Sequence, residues 1–175
     1  MQNLLTELTE IAFEALKKED TFLSNGARNN PNYQNDIHGI LLLNYERYFQ
    51  YLIARSIISS SKYKIQLEQS HHDIVLSEQN HEDFVVIELK RWMSGTGNLE
   101  LPKITIDINK LKESKLAGEK VLMIFSVNPC GTTESNRKFL FDKLKLDITQ
   151  STVSVFTTHD KTTEVEFWIS CVGIK

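Results

Sequence analysis

The run FVVIELKRW, residues 84–92, sets a carboxylate and an ammonium, Glu88 and Lys90, into a stretch that otherwise reads as a buried strand. Residues two apart in extended backbone share a face, so both point the same way as Phe84 and Val86. On a half-solvated strand this is an ordinary ion pair of small worth. Inside a core it costs on the order of several kcal/mol per ion, which chains seldom bear without a use for the charges. Asp73, in the run HHDIVLSE, comes beside Glu88 if the two runs form a tight hairpin; a turn or hairpin edge is the default reading of a lone Asp. Two carboxylates and the backbone carbonyl of Leu89 offer the hard oxygen donors that Mg²⁺ or Mn²⁺ prefers, with waters completing an octahedron. Lys90 is then the one cation of an acidic pocket, placed to orient a water and to offset charge developing on a phosphate.

Glu46 adds a third acid. It falls on the apolar stripe of Leu42, Phe49, Ile53 and Ile57, where an unpaired carboxylate is costly and calls for a cation or a metal. A slip at the helix end that turns it to solvent beside Arg47 is equally open.

Around these residues the chain divides by its periodicities. Leu4, Leu5, Leu8, Ile11, Phe13 and Leu16 predict one helix over the first twenty residues, and the Asn-rich SNGARNNPNYQND predicts a loop. HGILLLNYERYFQYLIARSIISS reads as a second helix. YKIQLEQ, HDIVLSE and DFVVIELKRW read as a three-stranded antiparallel meander with polar tips. Ile104, Ile106 and Ile108 alternate like a strand, yet Ile104, Ile108 and Leu111 after Pro102 follow a helical step, and helix is the assignment. KVLMIFSVN is apolar enough for a central strand covered on both faces. TESNRKFLFDKLKL predicts a helix with Phe139, Leu140 and Leu144 inward, and STVSVFTTH and TEVEFWISCVG a closing hairpin. The expected class is α/β, a mixed central sheet flanked by helices, in one domain over residues 1–175.

A helix with Glu46, strands carrying Asp73 and Glu88-Leu89-Lys90, then helix and strand, resembles the PD-(D/E)XK nuclease superfamily, the restriction-endonuclease-like fold. The resemblance covers roughly Gly39 to Asn128, an αβββαβ core, and leaves the first helix and the last hairpin as additions. It implies a metal-dependent endonuclease that hydrolyses DNA phosphodiester bonds, with Mg²⁺ as cofactor and Mn²⁺ as substitute. Asp73, Glu88, Glu46 and the Leu89 carbonyl would hold the metal, and Lys90 would assist the water. His72 stands where the motif name puts proline, and the superfamily includes members without catalysis. A non-catalytic nucleic-acid-binding or protein-interaction module on the same fold is therefore the alternative.

Composition narrows the setting. A net charge of -3 with a sequence pI near 6.0 excludes a globally basic polyanion binder, so any DNA surface is local. Lys103, Lys110, Lys112 and Lys115, with Arg137, Lys138, Lys143 and Lys145, give two helices a positive excess that a solvated face explains equally well. Cys130 and Cys171 stand apart, against a disulfide framework or zinc ribbon and for a cytoplasmic location. His71, His72 and His81 lack zinc-site spacing and read as loop histidines, with a phosphate as a candidate partner for His71 or His72. The glycines of MSGTGNLE lack a P-loop ending and read as a flexible connection. No apolar run approaches the ~20 residues that span a bilayer. Cutting both strands with one site per chain would favour a homodimer, by functional analogy alone.

Overall fold

The computed structural model describes residues 1–30, 39–43, 45–60, 62–78, 84–93, 97–161 and 163–175. Pro31, His81 and residues 94–96 of the glycine-bearing connection lie outside them. Helix α1 (Gln2–Asn29) leads through a short 3-10 helix (Gly39–Leu43) to α2 (Glu46–Ser60). Strands β1 (Tyr63–Gln69), β2 (His72–Glu78) and β3 (Phe84–Met93) follow, then α3 (Gly97–Glu113), β4 (Gly118–Pro129), α4 (Thr133–Leu144), β5 (Ser151–Asp160) and β6 (Thr163–Gly173).

One six-stranded sheet runs in the order β1-β2-β3-β4-β6-β5. β3 and β4 are parallel, joined through α3, and the other neighbours are antiparallel. The fold is thus the expected α/β sheet flanked by helices. Alternation sorts the apolar side chains: Ile74, Leu76, Ile87, Leu89, Met123, Phe125 and Ile169 pack against α1 and α2. Val86, Trp92, Leu122, Ile124 and Trp168 pack against α3 and α4. Glu88 and Lys90 lie between Val86 and Trp92 in this alternation, opposite Leu122 and Ile124 of β4. The strand positions that carry charge are therefore central ones.

Four expectations change. Helix α1 does not stop before Ser24 but continues to Asn29, because Asp20 and Ser24 are buried rather than solvated. The Asp20 carboxylate accepts the Ile40 N–H at 2.8 Å and the Thr158 hydroxyl, which anchors the chain entering the 3-10 helix. Gly39 there has φ +43°, and a Cβ would fall 2.2 Å from Asp20 Oδ1; glycine alone fits. The second helix is two pieces, so Leu42 leaves the stripe and is exposed, while Phe49, Ile53 and Ile57 are buried. In α4, Leu140 and Phe141 turn inward and Phe139 is exposed. Arg137 is buried too, donating to Ser151 Oγ at 2.7 Å, and so does not belong to a solvated basic face.

Candidate functional site

The site arises where β2 parts from β3. Their ladder ends at the pair Ile74–Ile87, although β3 runs on to Met93. Beyond that point the N–H groups of Leu89 and Arg91 lie on an edge that β2 no longer covers, and unpaired N–H groups need acceptors. Two carboxylates supply them. Asp73 Oδ2 accepts the Leu89 N–H at 2.7 Å, and Glu46 Oε1, from the first turn of α2, accepts the Arg91 N–H at 3.2 Å. An extended residue directs its N–H and C=O to the same side, so the Leu89 carbonyl leaves on the edge where Asp73 sits.

The β1–β2 turn sets the phase of this arrangement. Ser70 and His71 both have positive φ, as a two-residue type I′ turn requires, and Glu68 is left-handed as well. With the regular pairing missing between Glu68 and Asp73, the start of β2 delivers His72 to the α3 side and Asp73 to the open edge. Gln50 of α2 holds this bend, donating from Nε2 to the Asp73 carbonyl at 2.6 Å and to Glu68 Oε1 at 3.0 Å. A small cavity of about 130 Å³ is left between Glu46, Arg47, Gln50, Glu68, Asp73 and Leu89.

On the α3 side Glu88, only 2% exposed, is held by an imidazole and an ammonium. Its Oε1 lies 2.5 Å from His72 Nδ1 and 2.7 Å from Lys110 Nζ, and His72 Nε2 lies 3.0 Å from Ser114 Oγ. Lys90 sits 2.8 Å from Asp107 Oδ2 and 3.4 Å from Glu46 Oε2. Glu46 therefore reaches round the edge to both halves and is not paired off with Arg47.

These surroundings shift the titrations. Burial pushes the Glu88 carboxyl up to about 7, helped by the Asp73 charge and resisted by Lys110. Asp73 is raised, by burial first, against the pull of the Leu89 N–H and of Lys110. Burial alone would lower Lys90, but Asp107 and Glu46 outweigh it and hold the ammonium above its ordinary pKa. His72 is lowered by burial and by Lys110, which favours the neutral imidazole. The site thus keeps a charged Lys90 beside carboxylates that ionise reluctantly.

The structure brings Asp73, Glu88, Lys90, Glu46 and the Leu89 backbone to one sheet edge. Asp73 does not lie against Glu88 as a tight hairpin would place it: His72 takes that position, and Asp73 senses Glu88 only through its charge. His72 is accordingly a buried strand residue and not a loop histidine. Gln50, Glu68, Asp107, Lys110 and Ser114 join the site unforeseen. Two of them carried a signal: Asp107 completes the step Ile104, Asp107, Ile108, Leu111, and Gln50 the step Glu46, Gln50, Ile53, Ile57.

Among the described residues no three His, Cys, Asp or Glu side chains converge closely enough to cage a metal by themselves. Mg²⁺ does not ask for such a cage, since it keeps several waters and binds through one or two carboxylates. Asp73, the Leu89 carbonyl and Glu46 beside a small oxygen-lined cavity fit that requirement. Glu88 is held by His72 and Lys110 on the α3 side and does not line this cavity. No family model matches this chain, and no curated protein or solved structure is significantly similar to it.

Proposed function

We propose that this chain is a Mg²⁺-dependent endonuclease acting on phosphodiester bonds of DNA. The observation that carries the reading is that three elements bring acids to one stretch of β3, with Glu46 of α2 beside Lys90, Asp73 of β2 on the Leu89 N–H, and Glu88 on β3 itself. A bound Mg²⁺ supplies Lewis acidity toward the phosphate and makes a water more acidic.

The chain's own residues divide the remaining work. Asp73 and the Leu89 carbonyl hold and orient the cation from the sheet edge. Glu46 and Asp107 fix the Lys90 ammonium, so it is preorganised before substrate arrives. Lys90 then holds the attacking water in line and opposes the charge that builds on the phosphate oxygens, which is the larger part of such catalysis. His72 and Lys110 restrain Glu88, and Lys110 compensates its buried charge.

One observation favours a second reading. Glu88 is occupied internally by His72 and Lys110, and Lys90 by Asp107, as in a nuclease fold kept for binding nucleic acid or protein without cutting. Incubating the protein with plasmid, linear duplex and single-stranded DNA, with Mg²⁺ or Mn²⁺ and with EDTA, separates the two. The nuclease reading expects nicks or breaks that EDTA abolishes; intact DNA under every condition overturns it. We further place the chain in a reducing, cytoplasmic setting, in keeping with two free cysteines, Cys130 exposed and Cys171 buried. Paired cuts would call for a homodimer. Among the described residues no helix is long and apolar enough to cross a membrane.

A further inference from the structure

A groove of about 640 Å³ opens between the β1–β2 turn and the C-terminal end of α3, beside the acid cluster. His72 and Lys110 line it and also touch Glu88, so the groove and the cluster are continuous. Its remaining polar walls come from Ser70 and His71 on one bank and from Asn109, Ser114 and Lys115 on the other. Glu113 is the single acid among the lining residues.

Cations at the end of a helix usually answer its unpaired carbonyls and its dipole. Here another residue does so: Lys120 Nζ donates to the carbonyls of Lys112 and Ser114, at 3.2 Å each. Lys110 is committed to Glu88. Lys115 is needed for neither task, and no ion pair among the described residues engages it or His71. His71 has a left-handed conformation, φ 68°, at the tip of the type I′ turn, which places its side chain in the groove lining opposite the end of α3. A cation, an imidazole and hydroxyl and amide side chains thus line the two banks of one groove. Such a set suits the oxygens of a phosphate group.

We infer that this groove holds a phosphate of the nucleic-acid strand next to the one positioned at Asp73, Glu88 and Lys90, with Lys115 and His71 as its principal donors. The inference rests on the nuclease reading and extends it to how the strand is gripped. Contact is assigned to the backbone: Lys115 and the His71 ring N–H suit phosphate oxygens, and the lining includes Ile106 and Leu116 but no Phe, Tyr or Trp on which a base would stack. Recognition at this point is therefore indifferent to sequence.

Fluorescence anisotropy of labelled oligonucleotides tests it, with Ca²⁺ in place of Mg²⁺ so that binding is read without relying on turnover. The variants are Lys115→Ala, Lys115→Arg and His71→Ala, with Lys103→Ala, at an exposed position of α3, as a control. Lys115→Ala should raise Kd several-fold, equally for unrelated sequences, and lower the slope of log K against log salt by about one. Lys115→Arg should keep the slope, His71→Ala should weaken binding, and Lys103→Ala should leave it unchanged. A Lys115→Ala protein that binds with the parent's Kd and salt slope overturns the groove, whether or not the parent cuts DNA. Weakened binding with no cleavage by the parent leaves the groove standing and removes the nuclease reading. A parent that binds no oligonucleotide even at low salt overturns the groove as well.

Discussion

Glu88→Gln in metal-free protein isolates what the buried carboxylate costs. The carboxyl rises from an ordinary 4.5 to about 7 on folding, with burial as the leading cause. At roughly 1.36 kcal/mol per pKa unit this shift amounts to ~3 kcal/mol. The sign follows from linkage: a pKa raised on folding leaves stability whole below the unfolded value and removes it as pH climbs through the folded one. Wild type should therefore lose this increment between pH 4.5 and about 7, while the glutamine, with no proton to lose, should not. His72 slopes the other way, since its lowered pKa takes stability away as pH falls below its ordinary 6.5, and its contact with Glu88 couples the two titrations in wild type. Urea unfolding in EDTA at about pH 4.5, 6 and 8 should show Glu88→Gln gaining on wild type by ~3 kcal/mol across the series. A stability gap that stays flat, or that narrows as pH rises, would refute the claim that Glu88 is a destabilising charge kept for use.

Three further outcomes follow from named contacts. Ser114, His72 and Glu88 have the connectivity of a hydroxyl–imidazole–carboxylate relay; Ser114→Ala should nonetheless keep metal-dependent DNA cleavage within a few-fold, and abolition of cleavage would assign Ser114 a nucleophile's role. At Gly97 an added Cβ would meet the Trp92 ring at 2.7 Å; Gly97→Ala should cost ~1–3 kcal/mol in denaturant unfolding through overpacking beside the site, and unchanged stability would contradict this. Asp20→Ala orphans the buried Ile40 N–H and Thr158 hydroxyl; a loss of ~2–4 kcal/mol is expected by the same measurement, and a loss below ~0.5 kcal/mol would show that the Asp20 anchor is not needed.

The strands were legible as short runs of β-branched and aromatic residues bounded by polar turns. Val86, Glu88, Lys90 and Trp92 share one face in the structure as their spacing requires. Helix α3 was legible from its helical step, through Ile104, Ile108 and Leu111. What alternation could not convey was the break in phase at the β1–β2 turn, where positive φ at Glu68, Ser70 and His71 hands Glu88 to His72. Nor did the Asn- and Gly-bearing end of α1 look helical, since the burial of Asp20 and Ser24 depends on residues such as Thr158 far along the chain. Lys110 looked like a solvated lysine because its partner, Glu88, lies on another element. The acids and the lysine of the site could be named from type and spacing; the partners that restrain them could not.

Lys90→Ala is the most direct test of the central claim, because it spares the proposed ligands. Lys90 stands 2.8 Å from Asp107 and 3.4 Å from Glu46 and donates nothing to Asp73 or Leu89, whose contact persists without it. Cleavage of plasmid and binding of Mn²⁺ by calorimetry should be measured on one preparation of the variant and of the parent. The account predicts that cleavage falls by roughly a hundred to a thousand-fold, as for the loss of one preorganised donor. It also predicts that Mn²⁺ affinity holds or rises, since a nearby positive charge has gone. Undiminished cleavage by Lys90→Ala, or loss of Mn²⁺ binding in step with cleavage, would contradict it.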